Sequence, residues 1–281
     1  MRHVIRYTRY SGTREAFKII LIGDCHLGNK HADEKTLKAL AQRIATEEHT
    51  FWIGLGDYCE WINMRDPRFD PEELPVWLFG AAELADIAKA EAARFLDIMG
   101  PCREKCLALC SGNHEDAILQ HSERDVYSTI LDGLAVPGQD HRLDHRGFLT
   151  WRFGQSSDAK KGGSTAFRFF LTHGSGGGRK PGATANRLDD LAAQVDGCDV
   201  VISGHTHRSQ YHGSCVYRAG AKPGLVHRDT KHLISIPALC SDMRYAESKD
   251  MAALPIGWTE LTITPERREI SVETRFVTGG A

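Results

Sequence analysis

The chain has 281 residues and a formal net charge of −2, from 35 basic and 37 acidic side chains, and 41% of its residues are hydrophobic. This length predicts an ample core within a single domain over 1–281, with room for a small cap. The balanced charge gives no overall field that would attract nucleic acid or a membrane surface, and no run approaches the roughly 20 apolar residues of a membrane span.

Two further features concern the compartment. The segment Met1–Tyr7 is too polar and too short for a signal peptide. The eight cysteines show neither C-x-x-C spacing nor the framework of a small disulfide-rich domain. We therefore expect a cytoplasmic protein with reduced thiols and no membrane partner; the sequence does not predict an oligomeric state.

The predicted elements alternate along the first two thirds of the chain and become strand-rich afterwards. Apolar, β-rich runs predict strands at Phe17–Gly23, Thr50–Leu55, Cys106–Ser111, Phe148–Phe153, Ala166–Thr172 and Asp199–Ser203. Helical spacing of apolar residues predicts helices over 32–47, 84–99 and 183–195. The strand-rich part, 208–278, holds predicted strands at Ser209–Arg218, His232–Pro237, Gly257–Thr264 and Glu269–Val277. This order indicates two sheets flanked by helices.

Five short motifs stand where predicted strands end. They are Asp24-Cys25-His26, Gly56-Asp57, Gly112-Asn113-His114-Glu115, His173-Gly174 and Gly204-His205-Thr206-His207. In layered α/β folds, ligands gather at the loops that leave strand ends. We expect these five loops to deliver His, Asp and Asn donors, which suit borderline divalent metals, to one rim.

The number of donors distinguishes one metal ion from two. Seven side chains are candidate metal ligands: Asp24, His26, Asp57, Asn113, His173, His205 and His207. One tetrahedral zinc ion uses about three or four protein ligands, whereas two ions about 3.5–4 Å apart that share a carboxylate would use all seven. A single histidine would be weak evidence in a chain with 14 of them, but the five motifs together predict a two-ion site.

These motifs resemble the calcineurin-like metallophosphoesterase superfamily. The family pattern is D-x-H, G-D-x-x-[DE], G-N-H-[DE], a lone H and G-H-x-H, and all five blocks occur in order between positions 24 and 207. The resemblance implies an α/β fold, a four-layer αββα sandwich of two mixed sheets flanked by helices, with core motifs over 17–210. It implies that Asp24, His26 and His207 hold a first metal, that Asn113, His173 and His205 hold a second, and that Asp57 bridges them.

The implied reaction is metal-dependent hydrolysis of a phosphoester by a hydroxide that bridges two ions. Two cations neutralise the ester's charge and lower the pKa of a bound water, and a carboxylate such as Asp57 can serve both ions. His114 would protonate the leaving group, and Asn113 stands beside it among the catalytic residues. The donor set favours manganese and also suits iron, zinc or nickel.

Three segments are candidates for recognising the substrate. The aromatic, proline-broken stretch 61–79 follows the Asp57 loop and is equally compatible with a lid and a packed linker. The glycine-rich stretch 175–182 carries Arg179 and Lys180, which we predict to pair with phosphate. The polar stretch 155–164 has Lys160-Lys161 and is typical of a solvated hairpin tip.

Three functions fit the sequence. The leading prediction is a phosphodiesterase acting on a small or nucleotide-like phosphoester. The alternative is a DNA nuclease, because Asp24-Cys25-His26-Leu27-Gly28 resembles the opening motif of the repair-exonuclease branch. The balanced charge, without a long basic, aromatic-interleaved stripe, argues against a strand-tracking nuclease. A non-catalytic binding scaffold is the third, less favoured reading, because such a protein would be expected to have lost ligands.

Overall fold

The structure is a computed structural model that describes residues 1–12, 14–155, 164–176, 180–219, 224–241, 250 and 252–278. Arg179 and residues 156–163 of the polar stretch, which include Lys160-Lys161, therefore lie outside the described residues. No helix within these ranges combines the length and the apolar character needed to span a membrane.

Strands account for much of the described chain. They are β1 (Arg2–Tyr10), β2 (Phe17–Ile22), β3 (Thr50–Gly54), β4 (Cys106–Leu109), β5 (Arg146–Gln155), β6 (Ser164–Thr172), β7 (Val200–Ser203), β8 (Gln210–Ala219), β9 (Val226–Ser235), β10 (Gly257–Thr264) and β11 (Glu269–Phe276). They form a six-stranded sheet in the order β1-β5-β6-β7-β9-β8 and a five-stranded sheet in the order β11-β10-β2-β3-β4. Both sheets are mixed: β2, β3 and β4 are parallel neighbours, as are β6, β7 and β9, whereas β10 and β8 pair antiparallel to their neighbours.

The helices are α1 (Glu34–Thr46), α2 (Ala81–Ala85), α3 (Ile87–Met99), α4 (Asn113–Ser122), α5 (Val126–Gly133) and α6 (Pro181–Gln194). Helix α1 begins after Asp33, whose carboxylate accepts the backbone N–H of Thr36 at 2.9 Å, an N-cap that satisfies a donor with no partner inside the helix. Its apolar stripe, spaced as an amphipathic helix requires, is buried. Asp86 caps α3 in the same way and separates it from α2, so the single helix predicted over 84–99 is two helices.

The elements stack in four layers. One apolar cluster fills the space between the two sheets and includes Phe17, Trp151 and Phe169. A second lies between the five-stranded sheet and the helices on its outer face, with Trp52 and Phe95 in it. A third joins α6 to the outer face of the six-stranded sheet through Leu188 and Phe170. The expected four-layer αββα sandwich of two mixed sheets is confirmed.

Three elements were not predicted from the sequence. β1 alternates charged and bulky residues and lies at a sheet edge, parallel to β5, where only one face is covered. Helices α4 and α5 are short, at 10 and 8 residues, and their apolar positions are too few for a periodic signal.

Candidate metal centre

The parallel strands carry the candidate donors to one rim of the sandwich. In the five-stranded sheet, Asp24 follows β2, Asp57 follows β3 and Asn113 follows β4. In the facing sheet, His173 follows β6, and His205 and His207 follow β7. Because neighbouring parallel strands end at the same sheet edge, donors that are far apart in the sequence converge.

The backbone of this rim adopts a conformation that side chains other than glycine seldom take. Among the described non-glycine residues with positive φ are Asp24 at 49°, His26 at 45°, Asp57 at 49°, His205 at 69° and His207 at 53°. Such left-handed residues cost free energy, and they cluster at functional sites where the surrounding structure enforces them. Five candidate ligands therefore share a backbone geometry that aims their side chains at the rim.

A first donor group forms around His26 and His207. Their Nε2 atoms are 3.3 Å apart, and the Nε2 of His207 lies 3.5 Å from Oδ1 of Asp24. The Nε2 of His26 lies 4.0 Å from Oδ2 of Asp57. Imidazole and carboxylate atoms thus converge from three loops.

A second donor group forms around His173. Its Nε2 lies 2.9 Å from Oδ1 of Asn113, 3.2 Å from Nδ1 of His205 and 3.3 Å from Oδ2 of Asp57. The donor atoms of Asp57, His173 and His205 all lie within 4.8 Å of one another.

Asp57 lies between the two groups and presents one oxygen to both. Its Oδ2 faces His26 and His173, whereas its Oδ1 accepts the backbone N–H of His114 at 2.9 Å. In the structure, a single oxygen faces both groups because the other one holds the start of α4.

Hydrogen bonds on the far side of the rings orient the imidazoles. The Nδ1–H of His26 donates to Oε2 of Glu60 at 2.8 Å, and that of His173 donates to the carbonyl of Leu55 at 2.7 Å. The Nδ1 of His207 lies 3.8 Å from the sulfur of Cys240. Partners of this kind fix the ring and its tautomer, so that the other nitrogen is free to bind a metal.

The centre favours positive charge. Burial opposes the ionisation of Asp57, but the charges of His114 and His173 hold its pKa well below the ordinary value. Burial likewise opposes protonation of His173, yet the charge and hydrogen bond of Asp57, with the charge of Asp24, raise its pKa to about 9. Buried carboxylates that stabilise a cationic imidazole would also stabilise a divalent cation.

The residues present therefore fit a divalent metal centre. The described donors are imidazole nitrogens, carboxylate oxygens and an amide oxygen, the set that manganese, iron, zinc and nickel accept. The buried thiol of Cys240 lies within the same donor distance of His26 and His207, which the sequence argument did not foresee.

His114 stands beside the first donor group. Its ring is 4.6 Å from that of His26, and its Nδ1–H donates to the backbone carbonyl of Glu60 at 2.6 Å. Burial disfavours its protonation, but the charges of Asp57 and Glu60 raise its pKa above the ordinary value. The ring of His114 is thus oriented by the backbone carbonyl of Glu60, the acidic residue of the G-D-x-x-[DE] block, whose carboxylate oxygen Oε2 lies 4.0 Å from Nδ1 of His114.

Glu115 joins the loops beneath the centre. Its carboxylate accepts the backbone N–H groups of Asp57 at 2.9 Å, Tyr58 at 3.0 Å and Gly112 at 2.8 Å, and the indole N–H of Trp61 at 2.9 Å. One buried carboxylate thereby fixes the loop after β3 to the start of α4. We did not predict this role from the sequence, although Glu115 occupies the [DE] position of the G-N-H-[DE] block.

The stretch 61–79 packs against three parts of the protein. Asn63 donates to the hydroxyl of Ser122 at the end of α4, and the backbone carbonyl of Glu73 accepts the N–H of Lys30 at 2.8 Å. Leu78 is buried in a small apolar cluster with Ile87 of α3. These contacts hold the stretch against α3, the end of α4 and the loop after β2, and its role as a lid or as a packed linker stays a prediction.

Of the predicted phosphate-binding pair, the structure describes only Lys180. Lys180 is exposed at the start of α6, and its side chain forms no hydrogen bond or ion pair with another described residue. Arg179 lies outside those residues. Phosphate binding by this pair remains a prediction.

Comparison with known proteins gives a family and two distant structural likenesses. A model of the family described as calcineurin-like phosphoesterase matches residues 17–209, more than half of the chain. A predicted phosphoesterase from Streptococcus pneumoniae TIGR4 is similar at 11% identity and a TM-score of 0.34, over 93% of this chain and 99% of that one. The NAD nucleotidase of Haemophilus influenzae is similar at 12% identity and a TM-score of 0.38, over 92% of this chain and 49% of that one. No protein of curated function matches the chain in sequence.

Proposed function

The chain belongs to the calcineurin-like phosphoesterase family and is a metal-dependent phosphoesterase, and from that premise we propose that it is a phosphodiesterase acting on a small or nucleotide-like ester with two divalent ions. The observation that carries this proposal is the pair of donor groups that share Oδ2 of Asp57. One ion would leave one group without a metal, whereas two ions use both.

Each group would hold one ion. Asp24, His26 and His207 would bind the first, Asn113, His173 and His205 the second, and Asp57 both. When bound, the ions would supply charge neutralisation for the phosphate and a lowered pKa for a coordinated water. Manganese is the ion we propose, with iron, zinc and nickel as substitutes that the same donors accept.

His114 would donate the proton that the leaving oxygen needs. Its Nδ1–H is already committed to the carbonyl of Glu60, so the proton available for transfer is the one on Nε2. The nearby carboxylates of Asp57 and Glu60 raise the pKa of His114 against the effect of burial, which favours the protonated form that a general acid requires.

A small ester is favoured over a polynucleotide. A strand-tracking nuclease draws its affinity from several basic contacts to successive phosphates. The chain as a whole is nearly neutral, with a net charge of −2. The location in the cytoplasm and the single domain over 1–281 remain predictions beside this proposal.

Turnover of three substrates tests the proposal. Manganese-loaded protein is assayed against bis(p-nitrophenyl) phosphate, p-nitrophenyl phosphate and single-stranded DNA, with Asp57→Asn as a nearly isosteric control that lacks the shared negative charge. We expect the diester to be hydrolysed fastest, the control to be inactive, and DNA to bind in the non-specific range of roughly 10⁻⁴–10⁻⁶ M at about 0.15 M salt. Sub-micromolar DNA affinity with processive cleavage would establish the nuclease instead, and no turnover of any substrate would refute the proposal.

A further inference from the structure

Strand β8 lacks the protection that the other edge strands have against pairing with a further strand. The edges are β1 and β8 in the six-stranded sheet and β4 and β11 in the five-stranded sheet. Edge strands of soluble proteins are usually short or charged. β4 has four residues, all buried, and β1 and β11 each carry three charged residues. β8 has ten residues and a single charge, that of Arg218, and its outer backbone N–H and C=O groups have no strand partner among the described residues.

Strands β8 and β9 extend beyond the rest of their sheet as a two-stranded ribbon. β9 pairs with β8 along its whole length but with β7 only over its last four residues. One face of the ribbon carries Tyr211, Cys215, Tyr217 and Val226, all of them exposed. A two-stranded ribbon is marginally stable in water, and an exposed apolar face marks an interaction site. This part of the protein therefore has the character of half an interface.

The sequence of β8 is complementary to itself in one antiparallel register. If two copies of the strand run antiparallel with Cys215 opposite Cys215, all residues from Tyr211 to Ala219 have a partner, because Cys215 is the middle of this range. Tyr217 of each copy then lies opposite Gly213 of the other, and Tyr211 opposite Ala219. Each aromatic ring thus meets a position with little or no side chain, and an aromatic residue that covers a glycine on the neighbouring strand stabilises a sheet.

The same register brings opposite charges together on the other face of β8. Arg218 of each copy would lie opposite His212 of the other. The Nε2 of His212 lies 3.0 Å from Oδ1 of Asp189 on α6, a carboxylate that is largely exposed. Within its own chain, Arg218 has only a long contact with Asp229, at 3.9 Å. The pairing would therefore place an arginine beside an exposed carboxylate, and two-fold symmetry would form this contact twice.

We propose that β8 pairs antiparallel with β8 of a second copy of this chain, with Cys215 at the two-fold axis. The two six-stranded sheets then form one continuous sheet, and the two-stranded ribbon becomes four-stranded. The assembly closes as a dimer, because each copy covers the free edge of the other. This inference uses no residue of the metal centre and is independent of the proposed function.

A tyrosine at the opposite edge of the same sheet supplies a matched control. Tyr7 on β1 is 70% exposed, compared with 68% for Tyr217 on β8. Replacing either residue with Lys makes the same change of side chain on an edge strand, but only Tyr217 belongs to the proposed interface. Lysine on an edge strand opposes pairing with another strand.

Sedimentation equilibrium of the full chain measures the dissociation constant of the dimer. We expect the wild type to be dimeric at about 10 μM and Tyr217→Lys to raise the dissociation constant by at least about 10-fold, because each interface would contain both new charges. Tyr7→Lys should equal the wild type.

Crosslinking tests the register. A short bis-maleimide should join two wild-type chains through Cys215, because directly opposite residues of an antiparallel pair are about 4.5–5.5 Å apart and the other seven cysteines are buried. Cys215→Ser should abolish the crosslink. Cys215→Ser combined with Tyr7→Cys, which carries the exposed thiol on β1, should remain uncrosslinked.

Three outcomes would overturn the inference. The first is a wild-type protein that stays monomeric up to about 100 μM, even if it binds an added strand-forming peptide. The second is an equal dissociation constant in Tyr217→Lys and Tyr7→Lys, and the third is a dimer that the bis-maleimide does not join through Cys215. If Tyr217→Lys fails to fold, Cys215→Lys places two like charges opposite each other at the axis; unchanged dimerisation of that folded variant would refute the pairing.

Discussion

At the residue scale, the contacts of His114 allow its role in proton transfer to be tested independently of metal binding. The ring is held by its Nδ1–H contact to Glu60 and lies 4.6 Å from the ring of His26. The backbone N–H of His114 also anchors Oδ1 of Asp57, and a change of side chain leaves that backbone contact in place. The imidazole can therefore be removed while the donor groups persist.

We predict that His114→Ala keeps its metal and loses turnover. Hydrolysis of an ester with an alkyl leaving group should slow by roughly 10²- to 10⁴-fold, the usual contribution of a general acid. The loss should be much smaller for p-nitrophenyl esters, because p-nitrophenolate leaves without protonation. The prediction is checked by measuring the rates for both esters and the metal content on the same preparation. Equal losses of rate on the two esters would rule out the proton-donor role.

Glu91 is a second residue with an unusual protonation state. Its carboxyl is fully buried in α3, accepts the backbone N–H of Trp61 at 2.9 Å through Oε2 and has no partner for Oε1 among the described residues. Burial raises its pKa well above the ordinary value, although the hydrogen bond from Trp61 opposes this. The folded state therefore holds a proton that the unfolded state releases at about pH 4.3.

This difference makes stability depend on pH. The contribution of neutral Glu91 is fully present below the unfolded pKa and is lost as pH rises toward the raised folded pKa, by up to about 1.4 kcal/mol per pH unit. We predict that Glu91→Gln, which cannot ionise, gains stability relative to the wild type as pH increases from about 5 to 8. Urea unfolding across this pH range measures the gap in the free energy of unfolding between Glu91→Gln and the wild type. Glu104→Gln, at an exposed residue, is the control for the change in net charge. A gap that does not change with pH would show that Glu91 is ionised in the folded protein.

At the element scale, a buried ion pair fixes α1 to the five-stranded sheet. The guanidinium of Arg43 donates to both oxygens of Glu260 on β10, at 2.6 and 3.1 Å, and the side chain of Glu260 is 4% exposed. The sequence predicted α1 from its apolar stripe, but it gave no indication of this pair, because the partners are 217 positions apart.

We predict that Arg43→Met destabilises the protein by about 3 kcal/mol, because Glu260 would remain buried without its partner. Replacing both residues with Met should recover most of this loss, since neither buried charge is then left unpaired. Chemical denaturation of the single and double variants provides the measurement. Lys38→Met, which removes an exposed pair on the same helix, should change stability by less than about 1 kcal/mol, and a double variant as unstable as Arg43→Met would contradict the account.

The elements also show where sequence reasoning works. The buried strands β2, β3, β6 and β7 have long apolar runs, so they were predicted within one or two residues, and their ends located the donors. Edge strand β1 and the short helices α4 and α5 lack such a periodic signal. Their structure depends on tertiary contacts more than on local propensity. β1 pairs with β5, and α4 and α5 pack in the helical layer outside the five-stranded sheet.

At the scale of the whole molecule, the convergence of the seven candidate donors on one rim could be predicted, because each belongs to a recognisable motif that follows a strand. Their arrangement could not be predicted, because it depends on contacts between the two sheets and on residues outside the motifs, such as Cys240 beside His207. The division of the donors into two groups that share one oxygen of Asp57 is visible only once the two sheets face each other.

The number of metal ions per chain tests this arrangement most directly. Metal-free protein is dialysed to equilibrium against excess manganese, and bound metal is measured per chain by mass spectrometry of the elements. We predict two ions per chain, because two donor groups meet at Asp57. One ion or fewer at saturation would contradict it.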